Sequence, residues 1–191
     1  AHPELGFAET RTAGIVAARL RTIGFEVTEG VGQTGVVGVL ERGTGPTVLL
    51  RADMDALPVA EETGLPYAST ARGVLDGKDV PVMHACGHDM HTTALLGALA
   101  TLAAQDDWTG KILAVFQPAE ETGGGARAMI EDDLFARFGT PDVVLGQHVG
   151  PLPAGAIGLR AGASFAASDA LDITLYGRGG HGSRPEVTGD P

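Results

Sequence analysis

Lys111-Ile112-Leu113-Ala114-Val115-Phe116-Gln117-Pro118-Ala119-Glu120-Glu121-Thr122 is the stretch that decides the fold. Lys111 to Phe116 is an apolar run of strand length, and it ends in Gln117, a proline and two neighbouring carboxylates. Adjacent glutamates are ordinarily solvated surface, as Glu61-Glu62 is read. Glu120-Glu121 differs because it follows an apolar strand and Pro118-Ala119 directly. Neighbours at a strand end point in opposite senses. One carboxylate can therefore bind a metal ion while the other faces a bound water.

Outward from this strand the pattern alternates. Downstream, Gly123 to Gly125 reads as a tight turn rather than a phosphate cradle, since no P-loop lysine follows. It leads to a helix with Met129, Ile130, Leu134, Phe135 and Phe138 on one face. Asp142 to Gly146 is then a strand ending at Gln147-His148. Upstream, Thr92 to Ala104 is apolar nearly all round, as a buried helix would be. Asp76-Gly77, within Val74 to Val80, is a hairpin signal. Val36 to Leu40 and Thr47 to Leu50 read as two strands with a turn between them, the second running into Arg51-Ala52-Asp53-Met54-Asp55-Ala56-Leu57-Pro58. Ile15, Val16, Leu20 and Ile23 recur at helical spacing from Thr10, and Gly24 is a stop. Strands alternating with helices imply an α/β fold, a mixed sheet with helices on both faces. In such a sheet ligands bind outside the carboxyl ends of the strands. Asp53, Asp55, Glu120, Glu121 and His148 all sit at such ends.

Met83-His84-Ala85-Cys86-Gly87-His88-Asp89-Met90-His91 holds the single cysteine and three of the six histidines. Cys86 and His88, at i and i+2, point the same way on extended backbone and can reach one ion or two neighbouring ions. Gly87 between them removes a side chain that would crowd the metal. Cys, His, Glu and a further His form a donor set typical of zinc and similar borderline metals. A water acidified by such a metal, beside a carboxylate base, gives hydroxide at neutral pH. Asp53 and Asp55 could bind metal or hold a ligand imidazole from behind. His84 and His91 carry a weaker signal, and His91 could simply cap or orient its helix. Asp89 reads equally as a partner in the site or as a helix N-terminal charge.

Hydrophobic residues make up 43% of the 191-residue chain and charged ones 19%, a globular composition. The net charge of −11 argues against nucleic acid or an anionic membrane as partner, since both need basic patches. A lone cysteine cannot form an internal disulfide, which suits a reducing cytoplasm, the expected location. The longest apolar run, Ala94 to Ala104, is too short to span a bilayer. Both ends read as cut, since Ala1-His2-Pro3 opens without methionine and Asp190-Pro191 follows a Gly-rich turn with no closing element. A truncated chain is therefore expected. From Ser164 the character changes: Leu171, Ile173 and Leu175 alternate with polar residues as in a half-buried strand, and Gly177 to Gly182 is a turn carrying His181. Residues 1–163 are expected to form part of one domain and residues 164–191 the start of a second.

Leu50 to Pro58, Met83 to Asp89, Gln117 to Glu121 and Gly146-Gln147-His148-Val149 together resemble the M20 metallopeptidase family. More narrowly they are similar to its amidohydrolase branch of hippurate, N-acyl-amino-acid and auxin-conjugate hydrolases. His2-Pro3-Glu4-Leu5-Gly6-Phe7 also resembles that branch's opening segment. The resemblance implies a catalytic domain carrying two divalent metal ions, zinc foremost with manganese, cobalt or nickel as alternatives. Inserted in it is a small α+β lid through which two copies can pair. It implies Cys86, His88, Glu121 and His148 as ligands, with Cys86 bridging the ions. Glu120 is implied as general base, Asp55 as a support behind the site, and His181 as a lid residue that polarises the scissile carbonyl. The implied substrate is a small N-acyl amino acid, with no nucleic acid or membrane partner. The pattern departs in one respect: family members are roughly twice this length and take a last histidine ligand from a returning segment that is not in this sequence. Two other readings stand beside it. One is a truncated metal-binding chain without turnover. The other is an amidase using Cys86 as nucleophile with a histidine.

Overall fold

The computed structural model describes residues 1–164, 171–174, 176 and 177. The chain divides into two compact units, Ala1–Gly150 and Pro151–Pro191. The first opens with α1 (Thr10–Thr22), whose Ala13, Val16, Ala17 and Leu20 are buried at helical spacing. Its first free N–H groups are satisfied from outside the helix: the Glu4 carboxylate accepts from Arg11 N at 2.9 Å and Thr12 N at 2.8 Å. β1 (Glu26–Val31) and β2 (Gly35–Arg42) follow as an antiparallel pair, then β3 (Thr47–Asp53). β4 (Arg72–Leu75) and β5 (Lys78–Pro81) form a separate hairpin. Its turn residues Asp76 and Gly77 have φ of 51° and 74°, the pair of positive values that an Asp-Gly turn supplies.

α2 (His88–Ala103) leads to β6 (Gly110–Gln117), then α3 (Gly125–Glu131), α4 (Leu134–Phe138) and β7 (Val143–Gly146). The five-stranded sheet runs β1-β2-β6-β3-β7. β2 is antiparallel to β6, while β3 is parallel to both β6 and β7, so the sheet is mixed. β6 sits in its middle and explains the two cores. Ile112, Ala114 and Phe116 pack with α1 and α2 on one face, and Leu113 and Val115 pack with Met129 of α3 and Leu134 of α4 on the other. Alternation along one strand thus places helices on both faces.

The two strands expected with a turn between them both form, as β2 and β3, and β6 is inserted between them in the sheet. Three expectations need correction. α2 begins at His88 rather than Thr92, since Gly87 takes a left-handed φ of 80° that turns the chain into the helix. It buries one face only, through His88, His91, Thr92, Leu95 and Leu99, while the small Ala94 and Ala98 lie exposed. The single helix expected over Met129 to Phe138 is two short ones. Asp133 stands between them at φ 59°, and Asp132 turns its carboxylate to Gly32 N at 3.0 Å and Arg137 Nη1 at 2.9 Å. An aspartate that bonds elsewhere competes with helix propagation.

Among the described residues of the second unit there is no helix or strand. The strand expected over 171–175 is unpaired at 171–174, where Leu171 and Ile173 are 83% and 77% exposed. A strand without a partner ladder has nothing to hold it. Leu175 and His181 lie outside the described residues, as does most of the expected lid.

Candidate metal centre

Because β3, β6 and β7 are parallel, their carboxyl ends meet at one rim; Asp53 is in register with Gln117, and Arg51 with Gly146. Past those ends β3 delivers Asp53 and Asp55, β6 delivers Glu120 and Glu121, and β7 delivers His148. The start of α2 adds His88 and His91, with Cys86 just before it. All six described residues expected to form the site are brought together here. His84 is not in the cluster; its Nδ1 is buried without a partner, and burial pushes its pKa down.

His88 is the hub. It is fully buried, and its Nδ1 lies 3.1 Å from Asp55 Oδ1. The other oxygen of Asp55 accepts the backbone N–H of Glu121 at 3.0 Å. Burial by itself would raise the Asp55 carboxyl, but the bonds from His88 and from the N–H groups of Glu121 and Glu120 outweigh it and hold it below its ordinary range. An ionised Asp55 only accepts, so Nδ1 of His88 carries the proton, and the neutral ring that a metal takes keeps its lone pair on Nε2. Burial by itself would lower the His88 pKa, but the bond to Asp55 and the carboxylates of Asp53 and Glu121 outweigh it and raise it. His88 Nε2 lies 3.8 Å from Glu121 Oε1 and 3.8 Å from Glu120 Oε2. Both His88 Nε2 and Glu121 Oε1 are buried without a hydrogen-bond partner. Each orphan of this kind costs about 1–3 kcal/mol. Two orphans facing each other are close enough to share one ion, which takes such donors at about 2.0–2.2 Å. The residues fit a metal.

Cys86 Sγ and His148 Nε2 are 3.3 Å apart, and His148 Nδ1 donates to Val149 O at 2.7 Å. Cys86, His88 and His148 form one group with metal-binding spacing, and His88, Glu120 and Glu121 another. Burial and the carboxylates of Glu121 and Glu120 push the Cys86 thiol up. Burial likewise raises Glu121, with Glu120 adding to it. Of the two glutamates, Glu121 has the more buried side chain, 20% exposed against 40% for Glu120. The inward one is the better ligand and the outward one the better placed to meet solvent.

The turn that presents this pair is held from below by Glu9, which carries no site signal in the sequence. Glu9 is fully buried; its Oε1 accepts Ala119 N at 2.8 Å and its Oε2 accepts Thr34 Oγ1 at 2.5 Å. Ala119 is left-handed at φ 44°, a conformation a non-glycine residue resists. Gly125 closes the turn so tightly that a Cβ on it would lie 1.6 Å from Pro118 O. Asp53 and His91 are also buried and bonded, Oδ1 to Nδ1 at 2.6 Å, and Asp53 Oδ2 accepts Arg51 Nη1 at 2.8 Å.

Thiol, imidazole and carboxylate donors converging at the carboxyl rim of a mixed sheet define an α/β protein with a candidate metal centre. Residues 49–190 match peptidase family M20/M25/M40, and the chain belongs to that family. It is 51% identical over 192 residues to a hippurate hydrolase of Campylobacter jejuni, covering 100% of this chain and 48% of that one. It is 41% identical over 193 residues to an N-acetyl-L-cysteine deacetylase of Bacillus subtilis, covering 100% and 44%. The fold matches the crystal structure of a Bacillus subtilis protein described as a dinuclear metal binding peptidase from the M20 family. There the TM-score is 0.68 at 35% identity, over 78% of this chain and 40% of that one. The chain spans about half the length of the curated relatives it matches, 48% and 47% of the first two. Among the described residues no helix is long and apolar enough to cross a membrane.

Proposed function

We propose that this chain carries the metal centre of an amidohydrolase that cleaves the amide of N-acyl amino acids or similar small conjugates. The observation that carries the reading is the pair of facing, buried, unpartnered atoms, His88 Nε2 and Glu121 Oε1. The activities for which the hippurate hydrolase and the deacetylase are named support the substrate class.

Cys86, His88, Glu121 and His148 would hold two divalent ions, and their donor set suits zinc best, with manganese, cobalt or nickel as alternatives. Metal bound there would acidify a water and polarise the amide carbonyl. Asp55 keeps the proton on Nδ1 of His88 and so keeps Nε2 available. Glu120 takes a proton from the attacking water on its carboxylate and delivers it to the leaving amine nitrogen. His181, in the proposed lid of residues 164–191, would polarise the same carbonyl, and two copies would pair through that lid. The proposed catalytic unit is residues 1–163, acting in the cytoplasm without nucleic acid or membrane.

The 3.3 Å contact between Cys86 and His148 favours a second reading, a cysteine nucleophile activated by histidine. Nucleophilic cysteines need an electropositive setting. Here burial and the carboxylates of Glu121 and Glu120 raise the thiol instead, so the metal reading is preferred. Elemental analysis of the intact protein purified without chelator, with hydrolysis of a panel of N-acyl amino acids, decides between them. About two equivalents of divalent metal and turnover abolished by chelation are expected. Turnover that survives chelation but not thiol alkylation would move the chemistry to Cys86.

A further inference from the structure

His91 is a fully buried imidazole for which the proposed reaction has no use. Its Nε2 accepts the backbone N–H of Val149 at 2.9 Å. A backbone N–H can only donate, so Nε2 holds the lone pair and Nδ1 the proton, which goes to Asp53 Oδ1 at 2.6 Å. Asp53 is itself fixed by Arg51, and its carbonyl accepts Thr92 Oγ1 at 2.9 Å. Asp53, His88 and His91 lie close enough together to be taken for a metal-binding group. Both ring nitrogens of His91 are nevertheless spent, whereas Nε2 of His88 is free.

Val149 is the residue after His148. It is seated on Gly87, where a Cβ would come within 2.5 Å of Val149 Cγ2. Its position needs such support, because β7 is an edge strand with all four residues exposed. The sheet gives the chain beyond Gly146 little to lean on. The hydrogen bond from Val149 to His91 ties that segment to the core, one residue from an imidazole that must meet Cys86.

We infer that Asp53 and His91 form a positioning pair that holds the backbone at Val149 and thereby aims His148 Nε2 at the Cys86 side of the metal centre. The inference rests on the metal-centre reading above. The pair touches no reacting atom; it acts through His148.

The test uses the intact protein and the variants His91→Asn, His91→Gln and His148→Ala, with His91→Asn also made in the His148→Ala background. The asparagine amide keeps the donor to Asp53 but stops short of Val149. The glutamine Oε1 reaches the Val149 N–H. Two readouts are taken: amide exchange at Val149 in metal-free protein, and Co(II) titration followed by the thiolate-to-cobalt absorption of Cys86. His91→Asn is expected to speed Val149 exchange and weaken Co(II) binding about 10–100-fold, the range for losing a residue that orients a ligand. His91→Gln is expected to recover most of both, and His91→Asn to add nothing once His148 is gone. An undiminished effect of His91→Asn in the His148→Ala background overturns the inference, as does a His91→Gln variant no better than His91→Asn. A parent that takes up no cobalt overturns the metal-centre reading and the inference with it. A parent that binds cobalt, with His91→Asn binding it equally well, overturns the inference alone.

Discussion

Glu9 is a carboxylate with no exposed surface, sited at the N-cap of α1. Burial raises its pKa, and the bonds from Thr34 and Ala119 offset only part of that rise. The sign follows directly. A group protonated more readily in the folded state stabilises fully below its unfolded pKa, and that contribution is lost as pH rises through the higher folded value. Stability of the metal-free protein should therefore fall over that window, and Glu9→Gln should flatten the fall while keeping an acceptor for Ala119 N–H. Glu9→Ala leaves that N–H unpaired and should cost about 1–3 kcal/mol at neutral pH. Denaturant titration of both variants across the acid range checks this, and a Glu9→Gln curve with the parent's slope would contradict it. That Cys86, His88, Glu120, Glu121, His148 and Asp55 gather at one rim was legible, because strand ends and a dense Cys/His cluster are local features of the sequence. Glu9 was not, because its importance lies in a bond to Ala119, 110 positions away. The pairing of His91 with Val149 was hidden for the same reason, since it is made by side chain to backbone across 58 positions.

At the scale of elements, glycines separate positions that need the absence of a side chain from those that merely lack one. Gly97 in α2 is exposed, and a Cβ there would meet nothing within 4 Å. Gly97→Ala should stabilise by about 0.5–1 kcal/mol through helix propensity. Gly125 at the start of α3 is the opposite case, because its Cβ would strike the Pro118 carbonyl, which is backbone. Gly125→Ala should destabilise and displace the Glu120-Glu121 turn with it. Thermal melts of the two variants should shift in opposite directions; a Gly125→Ala variant as stable as Gly97→Ala would mean the turn is more pliable than its hydrogen bonds suggest. Periodicity located most strands and helices to within a few residues. It could not show that β6 enters between β2 and β3, since local pattern contains no information on which strands pair. Nor could it separate α3 from α4, because the break depends on where the Asp132 carboxylate finds its partners.

For the whole molecule, the sheet's β7 edge and the net charge oppose each other. Val143, Val144 and Leu145 are 45%, 61% and 54% exposed, consecutive on an edge strand with apolar groups on both faces. Such an edge is a template for pairing with another chain. Burying one such side chain yields about 1.5–3 kcal/mol. A net charge of −11 works against association of identical chains. That repulsion acts over distance and is screened beyond roughly 8 Å at physiological ionic strength, whereas edge pairing acts at contact. The edge should therefore win as salt rises. These 191 residues, prepared alone, are expected to self-associate increasingly with ionic strength, and Val144→Lys to suppress it without lowering the melting temperature. Sedimentation velocity at low and physiological salt tests the balance. Association that weakens with salt would assign it to charge pairing elsewhere, and association indifferent to Val144→Lys would clear β7 of the role.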